Sequence, residues 1–339
     1  MMLADFLSWV RRERIYVILG LIVTCFYATA YVKIKSEKDV AQQESATRLQ
    51  MMEERFQEKI KDKQAMEAFL KEHPEVQRKM SGSFLLIFVS FGMGIFLLIR
   101  WLSKPEFRQK WTVAPDWEGG IGSLTVLFRV TVMMLSISLL LTFVLSGLKR
   151  FLFPETSEHF WVLFHVILVH GVTLALIFIY TAPYRKNLAQ LGFGSTPEPW
   201  WREITASAGG YLTVIPLFSL VLMILMTISR FTSFEPEPHP LVFVFLDEAG
   251  NKSLIYFSLV LAIFIAPIFE EIFFRGFCYR ALLDVVGKPA AMVISASIFA
   301  VVHGSVYAFW PIFVLGLGLV YLYDLRKSLA APILLLHFF

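Results

Sequence analysis

Apolar residues in this chain fall into uninterrupted runs long enough to cross a membrane, and no other feature restricts its fold as strongly. The runs lie at about 15–32, 83–101, 124–147, 160–181, 210–228, 255–274, 289–306, 309–323 and 328–339. A helix rises 1.5 Å per residue, so about 20 apolar residues traverse the hydrocarbon layer of ~30 Å. The 339 residues are 57% hydrophobic and only 17% charged, outside the usual balance of a water-soluble domain. The predicted fold is all-α, a polytopic membrane protein with about eight or nine transmembrane helices. The last three runs are short and closely connected, so one or two of them are expected to be tilted or re-entrant, which is tolerated only where protein shields them from lipid. A polar intramembrane chamber would account for such elements.

Several function classes drop out. The 31 Lys and Arg against 27 Asp and Glu are dispersed, and no zinc-finger or helix-turn-helix pattern is present, so nucleic acid is not an expected partner. Phosphate-loop and dinucleotide-binding glycine patterns are absent as well. Cys25 and Cys278 lie in or beside apolar runs and read as packing residues. Arg11, Arg12 and Arg14 precede the first run as in a signal peptide, but no clear cleavage pattern follows, so the run is expected to remain as a helix.

The organisation read from these runs is an N-terminal transmembrane helix at 1–32, a charged extramembrane helical insertion at 33–82, transmembrane helices two to four at 83–189, and a C-terminal membrane core at 190–339. Within the insertion Leu49, Met52, Phe56 and Ile60 share one helical face, and Pro74 is a stop for any helix through Ala65–Glu72. The insertion reads as a surface helical hairpin or as a partner-binding element. Basic residues concentrate in alternate short loops (Lys104, Arg108 and Lys110; Arg185, Lys186 and Arg202; Arg280 and Lys288; Arg326 and Lys327), which places the N-terminus in the cytoplasm. The location is integral to the membrane, the plasma membrane if the source is bacterial. Arg129, near the start of the third run, either snorkels to the interface or forms a buried ion pair.

The chemistry-bearing stretch is Ala266-Pro267-Ile268-Phe269-Glu270-Glu271-Ile272-Phe273-Phe274-Arg275-Gly276. Ionisable residues in so apolar a segment mark a functional site. On a helix Glu271 and Arg275 are i and i+4 and can pair, while Glu270 points about 100° away. The pair can hold the helix in place while Glu270 faces a cavity as a base; alternatively both glutamates only neutralise basic residues at a boundary. His303 and His337 each close a later apolar run, and no HExxH zinc helix occurs. His165 and His170 are five apart, off any common face, and read as packing or interface residues; His73, His159 and His239 fall in loops.

Glu270-Glu271-x-x-x-Arg275, Phe299-x-x-x-His303 and His337, with Gly276, Gly316-Leu317-Gly318, Tyr321, Ser328 and Ala331-Pro332-Ile333 around them, resemble the ordered motifs of the CPBP family of intramembrane proteases. That family includes CAAX prenyl endopeptidases of the Rce1 type and the bacteriocin-processing or immunity-associated Abi proteins. The resemblance covers roughly 190–339 and implies peptide-bond hydrolysis in a helical chamber, on a membrane-associated and, in the Rce1 branch, prenylated substrate. It implies that Glu270 activates water with His303, that His337 helps to stabilise the oxyanion, and that Glu271 and Arg275 support the architecture. The family's last motif usually continues to an asparagine four residues on, which would fall at position 341, beyond Phe339: either the chain continues or one oxyanion donor is missing. The family is often called metalloprotease, so the cofactor is either none or a single Zn²⁺ held by Glu270, His303 and His337. The alternative function is a noncatalytic scaffold or immunity-type protein of the same fold; a transporter is a third reading, without the duplicated broken-helix pattern it would need.

Overall fold

In the computed structural model, residues 2–30, 70–109, 124–184, 188–194, 199–232 and 240–338 are described, and all regular structure among them is helical. Most of the insertion, with the Leu49 to Ile60 face, therefore lies outside the described residues. The chain divides into two compact units, one of Met1–Gly20 with Gly94–Phe339 and one of Leu21–Met93.

The helices, in chain order, are α1 (Met2–Arg12), α2 (Arg14–Ala30), α3 (Pro74–Ser103), α4 (Pro105–Gln109), α5 (Leu124–Leu152), α6 (Glu158–Thr181), α7 (Trp200–Phe231), α8 (Pro240–Asp247), α9 (Lys252–Val286), α10 (Lys288–Val301), α11 (Val306–Arg326) and α12 (Ala330–Phe338). In the smaller unit residues 70–72 are helical, His73 interrupts, and Pro74 opens α3. A proline with no N–H to donate is well suited to the first turn of a helix. Phe84 to Phe88 are 64–77% exposed, which fits a hydrocarbon surrounding and not water.

Among the described residues six helices (α3, α5, α6, α7, α9 and α11) are long and apolar enough to cross a membrane, and the bent pair α1–α2 raises the number to seven at most, against the eight or nine expected. Each of the nine apolar runs contributes a helix, but two of these helices are too short to span. The 289–306 run yields α10, 14 residues long, and the last run yields α12, 9 residues long. At 1.5 Å per residue these reach only about 21 and 14 Å. Helix α10 stops because Gly304 turns the chain with φ 71°, and Ser305 caps α11 by accepting a hydrogen bond from the Ala308 N–H at 3.2 Å. Both short helices are shielded: α10 packs against α9 and α11, and α12 against α7 and α11. The core between them is built from Phe273, Phe274, Phe277, Phe299, Leu319 and Leu335.

Helices α1 and α2 meet at 83°. The corner carries Arg11, Arg12, Glu13 and Arg14, four charges that could not continue into hydrocarbon. Glu13 is 1% exposed and accepts two hydrogen bonds from Arg129 of α5, from Nε at 2.8 Å and from Nη2 at 2.7 Å. The guanidinium also lies 5.4 Å from the centre of the Tyr16 ring, and the Tyr16 hydroxyl bonds that of Tyr180 at 2.7 Å. Arg129 is thus committed to a bidentate ion pair, and the snorkelling reading gives way to the paired one. The signal was out of reach of local sequence, since the partner stands 116 residues away. Because Arg129 remains 31% exposed, Arg129→Gln should cost about 1–3 kcal/mol, less than a fully enclosed pair. Thermal unfolding of Glu13→Gln, Arg129→Gln and the double variant should show strong non-additivity; strictly additive losses would mean that the two side chains do not depend on each other.

Candidate active site

Helix α9 is not a regular α-helix. It runs as α over Lys252–Val260, as wider π turns over Leu261–Ile265, as α over Ala266–Glu270, again as π over Glu271–Tyr279, and as α over Arg280–Val286. Pro267 gives part of the reason: it donates no N–H, and its ring needs room on the preceding turn. The first π stretch supplies that room, with the Ala266 N–H bonded five residues back to the Leu261 carbonyl. Insertions of this kind recur at functional sites. Here the change from α to π falls between the two glutamates.

Glu271 and Arg275 are both fully buried, and Arg275 Nη1 donates to Glu271 Oε1 at 2.7 Å. Arg275 also lies 4.4 Å from the centre of the Phe299 ring, and its Nη2 reaches the Gly316 carbonyl at 3.4 Å. The pair therefore ties α9 to α10 and α11. Glu271 Oε2 and Arg275 Nε have no hydrogen-bond partner among the described residues, so a single hydrogen bond joins the pair directly. Gly276 follows because a Cβ there would stand 2.8 Å from the Leu191 carbonyl oxygen. Glu270, the last residue of the central α segment, is half-buried and makes no hydrogen bond or ion pair among the described residues.

His303 lies in the turn after α10 and is exposed; its Nδ1 is 2.7 Å from the Phe299 carbonyl, and its ring is 4.8 Å from that of Phe299. His337 is half-buried on α12, with Nδ1 2.7 Å from the Ile333 carbonyl and its ring 5.7 Å from that of Phe264 on α9. A carbonyl only accepts, so in both histidines the Nδ1 that faces it carries a proton. The segment that ends at Glu270 packs against α12, and the π stretch that follows packs against α10. The elements that carry the three residues are thus neighbours. No group of three His, Cys, Asp or Glu side chains that could hold a metal ion occurs among the described residues. Glu270, His303 and His337 do not form the ligand set that a zinc ion would need.

Other polar residues around α9 gave no sequence signal. The His170 ring lies 3.8 Å from that of Phe269, the residue before Glu270, so α6 brings a histidine beside the carboxylate stretch. His165 Nε2 reaches the Ser138 carbonyl of α5 at 3.0 Å, an interhelical contact. Arg326 donates to Glu203 at 2.6 Å, joining the end of α11 to the start of α7. Asp324 accepts from the Tyr279 hydroxyl at 2.9 Å and from Lys327 at 3.0 Å, and pairs with Lys288 at 3.0 Å. Three of the loop cations that set the expected orientation are thus engaged in holding helix ends together.

The fold and these pairs define a polytopic helical protein of the membrane with an enclosed carboxylate–guanidinium pair. Residues 252–339 match the family model described as type II CAAX prenyl endopeptidase Rce1-like. The match covers about a quarter of the chain and supports membership of that family for this segment, which holds Glu270, Glu271, Arg275, His303 and His337. Neither curated proteins nor solved structures give a match to the chain.

Removing one member of the enclosed pair leaves a bare charge or an unmet donor in the core, at about 3–5 kcal/mol. Glu271→Gln should therefore sharply lower the folded yield in detergent. The double variant Glu271→Leu with Arg275→Met removes both charges and should recover most of that yield. A single variant that folds as well as the parent would show that the pair does not support the fold.

Proposed function

We propose that this chain is an intramembrane endopeptidase that hydrolyses a peptide bond in a membrane-associated peptide or protein, prenylated substrates included, with residues 190–339 as its catalytic core. The observation that carries this reading is the difference between adjacent carboxylates: Glu271 is bound to Arg275, while Glu270 is half-buried with no such partner, inside a segment that matches a peptidase family. A base must have its lone pairs available to the proton it takes, and Glu270 meets that condition.

In the proposed reaction the Glu270 carboxylate takes a proton from water as the water oxygen adds to the scissile carbonyl carbon. The protonated Glu270 then gives that proton to the leaving nitrogen as the C–N bond breaks, leaving a carboxylic acid and an amine. His303 accepts a hydrogen bond from the attacking water through Nε2. His337 stabilises the oxyanion, for which its ring must carry a second proton at Nε2, because Nδ1–H is directed at the Ile333 carbonyl. Glu270→Gln keeps the shape and removes the base, so cleavage should fall by at least about 10²-fold with folded yield and substrate binding retained. Cleavage at the parent rate would remove Glu270 from this role. His337→Gln, which retains an N–H donor, should keep more activity than His337→Ala.

We further infer that the N-terminus is cytoplasmic and that residues 33–82 lie on the opposite side. The Glu203–Arg326 and Asp324–Lys288 pairs join the start of α7, the α9–α10 turn and the end of α11, which fits the grouping of basic loops. In sealed membranes a cysteine introduced between positions 40 and 60, in a Cys25→Ser background, should react only with reagent added from outside. Labelling from the cytoplasmic side would reverse the orientation.

A further inference from the structure

A cavity of about 430 Å³ opens between the end of α3, α4, the first half of α7 and the face of α11 that carries Leu317 and Tyr321. None of Glu270, His303 or His337 lines it, so it stands apart from the candidate active site. Its wall is apolar apart from Thr213, whose hydroxyl is bonded to the Gly209 carbonyl at 2.7 Å, and Tyr321. From Ala206 to Val221 of α7 it runs about 22 Å along the helix, longer than the ~15 Å depth of one leaflet. The volume suits a small ligand and not a further polypeptide helix. Hydrocarbon is the surrounding solvent of a groove at this depth.

Two observations say what occupies it. Gly209 lines the groove and has nothing within 4 Å of where a Cβ would stand, so no neighbouring helix explains its missing side chain. Gly210 and Gly318 are different, because a Cβ at either would meet Leu335 at 2.9 Å or Val214 at 2.5 Å. At the mouth, Trp101 packs edge-on against Tyr321 and Phe107, with ring centres 5.6 and 6.1 Å apart. Arg100 stands beside them, its guanidinium carbon 5.0 Å from the centre of the Phe107 ring, and its buried Nε has no hydrogen-bond partner. Lys104, exposed and one turn further on, shares that face, and Glu106 is the nearby acidic residue in sequence. Glu203 and Arg326 neutralise each other.

We propose that this groove binds one acyl chain of an anionic membrane phospholipid, with the phosphate held by Arg100 at its mouth. The chain fills the space left at Gly209, the aromatic residues close over the glycerol end, and the phosphate satisfies the orphaned guanidinium N–H. Charge selects anionic lipid over zwitterionic, and the groove selects long chains over short. The proposal does not depend on the role of Glu270.

Native mass spectrometry of the full chain in detergent, titrated with dioleoyl phosphatidylglycerol, dioleoyl phosphatidylcholine and dihexanoyl phosphatidylglycerol, tests it. The parent should bind one dioleoyl phosphatidylglycerol at least tenfold more tightly than either other lipid. Arg100→Gln should abolish the preference for the anionic headgroup. Gly209→Leu and, independently, Leu317→Trp should weaken both long-chain lipids at least tenfold, with elution profile and Tm unchanged in at least one of them. Equal binding of the two dioleoyl lipids, parent-like binding by folded Gly209→Leu or Leu317→Trp, or equal binding of the short-chain lipid would overturn the proposal. Displacement of the bound lipid by a farnesylated peptide, but not by the same peptide without its lipid, would assign the groove to a substrate chain instead.

Discussion

A charge inside hydrocarbon must find a partner, and much of this molecule is arranged by that requirement. Glu271 and Arg275 meet at full burial on one helix and draw α10 and α11 to it through Phe299 and the Gly316 carbonyl. Glu13 and Arg129 fix the corner between α1 and α2, and Glu203 with Arg326 ties α7 to α11 at the membrane boundary. In the last pair Glu203 stands in the first turn of its helix and Arg326 in the last turn of its own, so each charge also complements a helix dipole. Asp324 collects Tyr279, Lys288 and Lys327 in the same way. Two apolar helices in lipid gain little from burying more apolar surface, so specific pairings of this kind help to decide which faces meet.

The irregular backbone of α9 lies at the centre of that arrangement. On a regular α-helix Glu270 and Glu271 would already point about 100° apart. The switch from α to π turns at this point leaves Glu271 enclosed with Arg275 and Glu270 half-buried. Small residues allow the rest: without a Cβ at Gly276 the Leu191 carbonyl can approach, and Gly316 sits within 3.3 Å of Ala296 by the same measure. A candidate base is thereby held on a segment whose neighbours are fixed by packing, and the helices α10, which precedes His303, and α12, which carries His337, pack against α9. Each of those rings is oriented by its own backbone through an i−4 carbonyl, so ring orientation here is a local property of α10 and α12.

The membrane character, the all-helical class and the Glu271–Arg275 pairing were legible in the sequence because each depends on short-range pattern. Run length reports hydrocarbon compatibility, and i, i+4 spacing reports a shared face, which the wider turns of Glu271–Tyr279 still allow. The number of spans was legible only in part. An apolar run says that a segment can lie in lipid or in a core, and α10 and α12 take the core. Arg129 shows the same limit from the other side: its reading stayed open because Glu13 could be found only once the chain had folded back on itself.

What the sequence by itself determined is the solvent of this protein; it also marked an acidic pair followed by two histidines in the apolar C-terminal runs as candidate chemistry. The tertiary structure decided how completely the Glu271–Arg275 pair is enclosed, that His170, read as a packing or interface residue, stands against Phe269, and where a groove remains open beside Gly209. It also decided the π turns of α9, for which Pro267 accounts only in part. The physical reason is range: hydrophobicity and helical spacing act over a few residues, whereas ion pairing, close approach at glycine and unfilled space belong to surfaces that only folding brings together.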